Sequence, residues 1–93
     1  MMQNYDKMIQ EKAQVVFMQM EKRVSAEDMT RILAAFELAR EAHAEQKRKS
    51  GEPYIIHPIA VATIVAEELK LGANPVIAAF LHDVVEDTDY TMD

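Results

Sequence analysis

The chain has no cysteine and no tryptophan, only two glycines and three prolines in 93 residues, and no long apolar run. Each absence excludes something. Without cysteine there are no disulfides, no thiolate zinc site and no cysteine nucleophile, and a small secreted domain would usually want such staples. Sparse glycine and proline, with 49% apolar and 28% charged residues, exclude a fibrous or disordered chain. The longest apolar stretch, Val76 to Leu81, is six residues, against the roughly 20 that cross a bilayer, so no membrane association is expected. The opening MMQNYDKMIQ lacks the apolar run of a signal peptide, and a cytoplasmic location is the expectation. A chain of 93 residues makes one small domain. It buries only about 60 to 65% of its unfolded surface, which leaves a thin core.

Positive charge is also scarce. Ten basic against sixteen acidic side chains leave a net charge of −6, which argues against binding to a nucleic-acid backbone. Residues 71–93 contain no lysine or arginine at all, yet hold Asp83, Glu86, Asp87, Asp89 and Asp93. Lys47, Arg48 and Lys49 stand together, beside Arg40. Such a division suits an anionic ligand at one end and a cation at the other, or simply two stretches of solvated surface.

What is present is helical periodicity. From Asn4 to about Lys22, Tyr5, Met8, Ile9, Ala13, Val16, Phe17 and Met20 draw one stripe at spacings of three and four. Ser25 with Asp28 three places on approximates a capping box, and a second helix is predicted from about Ala26 to Glu45. It dissolves into the loop QKRKSGEP. Pro58 fits the first turn of a third helix, to about Leu71. Gly72 then suits a C-terminal cap, Asn74 an N-cap and Pro75 the first position of a fourth helix, reaching about Asp87. No segment alternates with period two. The expected fold is all-α, with about four helices.

The fourth helix carries the chemistry. Val76 to Leu81, Val84 and Val85 make it apolar on nearly all sides, and His82 and Asp83 are set into that run. Burying a carboxylate without a partner costs several kcal/mol, so Asp83 needs a cation, hydrogen bonds or a wet cleft. Glu86 and Asp87 follow His82 and Asp83 by one turn, so that four polar groups share a face. A divalent metal would resolve the repulsion among the carboxylates, and imidazole with carboxylate suits manganese, iron or zinc better than magnesium. The plainer alternative is a frayed acidic helix end with a core histidine. His57, between Ile56 and Pro58, is the natural second imidazole, or else a core residue; His43 on the apolar face of the second helix reads as packing. In the loop, Arg48 and Lys49 could contact phosphate or base, Ser50 offers a hydroxyl, and Gly51 lets backbone come close to a ligand. The spacing is not that of a P-loop.

RKSGEPYIIHP (Arg48 to Pro58) and HDVVEDT (His82 to Thr88) resemble the two signature stretches of the hydrolase domain of the RelA/SpoT homologue family, whose members make and destroy ppGpp and pppGpp. The resemblance covers Ala39 to Asp89 closely. It implies an HD-type, all-helical metal-dependent phosphohydrolase, of which residues 1–93 are the N-terminal part. It also implies manganese ligands at His57, His82 and Asp83, and an acidic pair, Glu86 and Asp87, that positions and activates the attacking water. Arg48, Lys49 and Ser50 match the loop that holds the guanine nucleotide. The family's fourth metal ligand, a downstream aspartate, lies beyond Asp93, and Glu45 stands where the family often has glycine. The chain alone is therefore expected to be inactive or nearly so, and to self-associate through exposed apolar helix faces. Two alternatives stay open: an HD phosphohydrolase for another purine nucleotide, and a helical interaction module that kept the motifs without turnover.

Overall fold

The computed structural model describes residues 5–47, 49, 51–69 and 71–84. Among the described residues four α-helices follow one another, α1 (Tyr5–Glu21), α2 (Ala26–Ala42), α3 (Ile56–Thr63) and α4 (Ala73–Leu81). No strand occurs among the described residues; the only extended pairing there is an isolated bridge between Lys47 and Pro53. The all-α expectation holds.

Each helix turns its apolar stripe inward. Ile9, Ala13, Val16, Phe17 and Met20 of α1 meet Ile32, Ala35, Phe36 and Ala39 of α2. Ile59 and Ala62 of α3 and Val76, Ala79 and Phe80 of α4 close the core. Phe36 is its centre, with ring centroids 5.4 Å from Phe17 and 5.6 Å from Phe80, both edge-on. Such pairs contribute about 0.5–1.5 kcal/mol beyond area burial. The Ser25 hydroxyl accepts the Asp28 N–H at 3.1 Å, so the cap expected for α2 forms.

The boundaries differ from expectation in ways that have causes. α2 stops at Ala42 rather than Glu45, and His43 becomes its C-cap with φ −98°. α3 begins at Ile56, two residues before Pro58, because Pro53 and Tyr54 already turn the chain: the Ile56 and His57 N–H groups donate to their carbonyls. Pro58 still lies in the first turn, where its missing N–H costs nothing. Beyond Thr63 the helix widens into a π-helical turn, Ile64–Glu68, in which the Leu69 N–H donates to the Ile64 carbonyl at 3.1 Å. Arg23 reaches across from the α1–α2 connection and donates to the carbonyls of Ala66 and Leu71. Gly72 is the N-cap of α4 with φ −84°, not a left-handed C-cap, and Asn74 lies inside the helix. The Asn74 side chain instead accepts a hydrogen bond from Arg31 of α2 at 3.0 Å. Nor is α4 buried all round: Ala78 is exposed, while Val76, Ala79 and Phe80 are buried.

Candidate metal centre

Helical period decides how α4 ends. Asp83 continues the buried stripe of Val76, Ala79 and Phe80, whereas His82 continues the exposed line of Ala78. The result is a carboxylate 9% exposed and an imidazole at the rim. From the other side, the first turn of α3 presents His57, whose N–H donates to the Tyr54 carbonyl at 2.9 Å.

The three side chains that sequence spacing singles out come together. His82 Nε2 lies 3.2 Å and His57 Nε2 3.6 Å from Asp83 Oδ2. One ligand atom from each of the three lies within 4.8 Å of the others. Two donors bound at right angles to one ion, each about 2.1 Å away, stand about 3 Å apart, so the separations here need little contraction to hold a metal. The orientation of His82 supports the same reading. Its Nδ1 faces the Ala79 carbonyl at 2.8 Å, so Nδ1–H donates there and a neutral ring turns an Nε2 lone pair toward Asp83. A lone pair set against a carboxylate oxygen is repulsive unless a cation lies between them. A proton on Nε2 would relieve this at His82; a metal ion would relieve it there and take His57 as a donor as well.

Asp83 has a further partner that spacing did not reveal. The Tyr54 hydroxyl donates to Oδ2 at 2.7 Å, an ordinary O–H···O hydrogen-bond distance. The available signal was the three-residue interval between Tyr54 and His57, which at a helix entry places both on one side. His43, Tyr54, His57 and His82 form a column of rings with successive centroid distances of 4.9, 5.7 and 5.7 Å. His43 is its buried end, 1% exposed, with Nδ1 against the Gln46 side chain. Packing is its role here.

The loop is closed at its stem by the Lys47–Pro53 bridge and by the Tyr54 N–H donating to the Gln46 carbonyl at 3.0 Å. Gly51 takes φ 92°, a left-handed conformation that side chains with a Cβ rarely adopt. Lys49 is exposed at the turn. Arg48, Ser50, Glu86 and Asp87 lie outside the described residues, so the structure does not bear on their placement. No described helix is long and apolar enough to cross a membrane.

The HD domain family profile matches residues 35–93. This chain belongs to the HD domain family. The HD domain is of the RelA/SpoT kind, as its relatives show. A guanosine-3′,5′-bis(diphosphate) 3′-pyrophosphohydrolase of Aquifex aeolicus (strain VF5) is 58% identical over 60 residues, 64% of this chain and 8% of the relative. One of the same name from Haemophilus influenzae is 61% identical over 54 residues, 58% of this chain and 8% of the relative. The bifunctional (p)ppGpp synthase/hydrolase SpoT of Escherichia coli (strain K12) is 52% identical over 65 residues, 70% of this chain and 9% of the relative. The chain thus spans under a tenth of the length of these curated relatives.

Proposed function

We propose that this HD domain is the N-terminal part of an alarmone hydrolase. The reaction is removal of the 3′-linked diphosphate of ppGpp or pppGpp by water, leaving GDP or GTP and pyrophosphate. The observation that carries the proposal is the convergence of His57 and His82 on Asp83, from two different helices, in an HD domain. The activities for which the relatives are named give the substrate class.

Manganese is the ion we assign to His57, His82 and Asp83 on the resemblance to the RelA/SpoT hydrolases; two imidazoles and a carboxylate argue against magnesium and would suit iron or zinc as well. When bound, such an ion supplies Lewis acidity toward a phosphoryl oxygen and acidifies water. The chain's own groups supply the rest. Asp83 contributes the charge that retains the ion, and the imidazoles remain neutral donors, His82 being fixed in that role by its hydrogen bond to the Ala79 carbonyl. In this proposal Glu86 and Asp87 orient the attacking water and take its proton. The water oxygen bonds to phosphorus, the link from that phosphorus to the 3′-oxygen breaks, and a proton returns to the 3′-oxygen. Arg48, Lys49 and Ser50 hold the guanine nucleotide, with Arg48 offering a planar cation to base and phosphate.

Pyrophosphate release from ppGpp by the complete protein, with manganese added, tests the reading. Glu86→Gln or Asp87→Asn should lower that rate by about 100-fold or more while the manganese content stays near that of the unaltered protein. Loss of metal with either substitution would make these residues ligands. Release from a different purine nucleotide, with none from ppGpp, would move the domain to another substrate.

A further inference from the structure

We infer that Tyr54 is a positioning residue for the metal centre, acting through Asp83 and His57; the inference rests on the metal-site reading above. Its hydroxyl donates to Asp83 Oδ2, the oxygen that both Nε2 atoms face, and its carbonyl accepts the N–H of His57. One residue of the loop stem therefore fixes two of the three donors, although it belongs to neither helix.

Oδ2 has two lone-pair directions. With the phenol holding one at 2.7 Å, the other is left for the space between the imidazoles. Without that bond, rotation of Asp83 could offer either oxygen in several orientations, and the geometry for the ion would have to be selected at each binding event. Tyr54 is well placed to resist such rotation. Its ring lies between those of His43 and His57, at 4.9 and 5.7 Å, and its N–H is tied to the Gln46 carbonyl. Groups in this position around a metal typically contribute about 10- to 100-fold in affinity.

The test is manganese titration of the chain, with free Mn²⁺ read by electron paramagnetic resonance, for the unaltered protein, Tyr54→Phe and Asp83→Asn. Tyr54→Phe retains the ring and removes only the hydroxyl. It should weaken manganese binding about 10- to 100-fold, with the helical circular dichroism unchanged. A second readout is the visible spectrum at saturating cobalt, which reports the arrangement of donors. Tyr54→Phe should shift it, whereas a residue that only supports the fold would leave the bound-state spectrum as it was. Unchanged affinity and spectrum in Tyr54→Phe, with binding lost in Asp83→Asn, overturns the role of Tyr54 and leaves the metal site standing. Binding by Asp83→Asn equal to that of the unaltered chain overturns the metal site, and the role of Tyr54 with it.

Discussion

His43 and His82 stand at opposite ends of one column of rings, and they have different fates. Both sit in apolar helical surroundings, and both use Nδ1 locally, His43 toward the Gln46 side chain and His82 toward the Ala79 carbonyl. What separates them is the second nitrogen. His82 Nε2, at the rim, faces the buried Asp83 carboxylate 3.2 Å away, whereas His43 Nε2 is buried with no hydrogen-bond partner among the described residues. A histidine becomes a candidate ligand when its fixed tautomer points the free lone pair at a shared anion. Burial alone makes it packing.

That comparison breaks most visibly at the anion. Asp83→Asn keeps the shape of the side chain and removes its charge, leaving two neutral imidazoles facing an amide. Manganese affinity of the chain should fall by at least about 100-fold, because a hard divalent ion loses the only anionic donor of the cluster among the described residues. Thermal stability should fall little or rise, since a carboxylate that is 9% exposed no longer has to be held away from water. Calorimetric titration with manganese and a melting curve, run together, check both parts. Retained affinity would place the metal elsewhere and erase the distinction between His82 and His43.

Much of this arrangement was legible in the sequence, for physical reasons. The stripes of α1 and α2 repeat at helical spacing over 17 residues each, which periodicity reads well. An aspartate in an apolar helix must find a partner, which singled out His82, Asp83 and His57. Other features depend on contacts distant in sequence. Asn74 looked like a cap, but its side chain is engaged by Arg31, 43 residues away. The π-helical turn is held at its end by Arg23, also from another element. Tyr54 was missed because a tyrosine in a turn has many uses, and only the fold brings Asp83 to its hydroxyl. Gly72 misled because glycine marks both ends of helices, and its φ of −84° is one that any residue can take.

The comparison sharpens if the two ends of the column prove independent. The proposed nucleotide loop leaves the stem near His43, while the donors gather at the other end. Arg48→Ala in the complete protein should therefore weaken ppGpp binding about tenfold, in the range of a lost stacked or charge-assisted contact, with little change in manganese affinity. A binding isotherm for ppGpp, measured with manganese present and absent, separates the two effects. An isotherm untouched by the substitution would remove Arg48 from the nucleotide site, and a parallel loss of manganese would show that the ends are coupled.

The smallest effect is expected from His43→Phe. The substitution keeps an aromatic ring against Tyr54, whose centroid is 4.9 Å away, and deletes the unpartnered Nε2. Two terms oppose one another. Relieving a buried unsatisfied polar group is favourable by about 1–3 kcal/mol. Fitting a larger ring into a filled core costs about 1–3 kcal/mol. Gln46 loses the contact to Nδ1 but is only half-buried, so its amide can turn toward water. The net change should stay within about 1 kcal/mol, a shift in melting temperature of at most about 4–8 °C for a domain of this size. Manganese affinity should stay within about threefold, because the phenylalanine ring keeps the packing against Tyr54 and leaves the Tyr54 hydroxyl on Asp83. Paired melting and manganese titrations decide it. A large loss of metal affinity with an unchanged melting temperature would make His43 a contributor to the centre rather than the packed end of the column, and the contrast with His82 would fail.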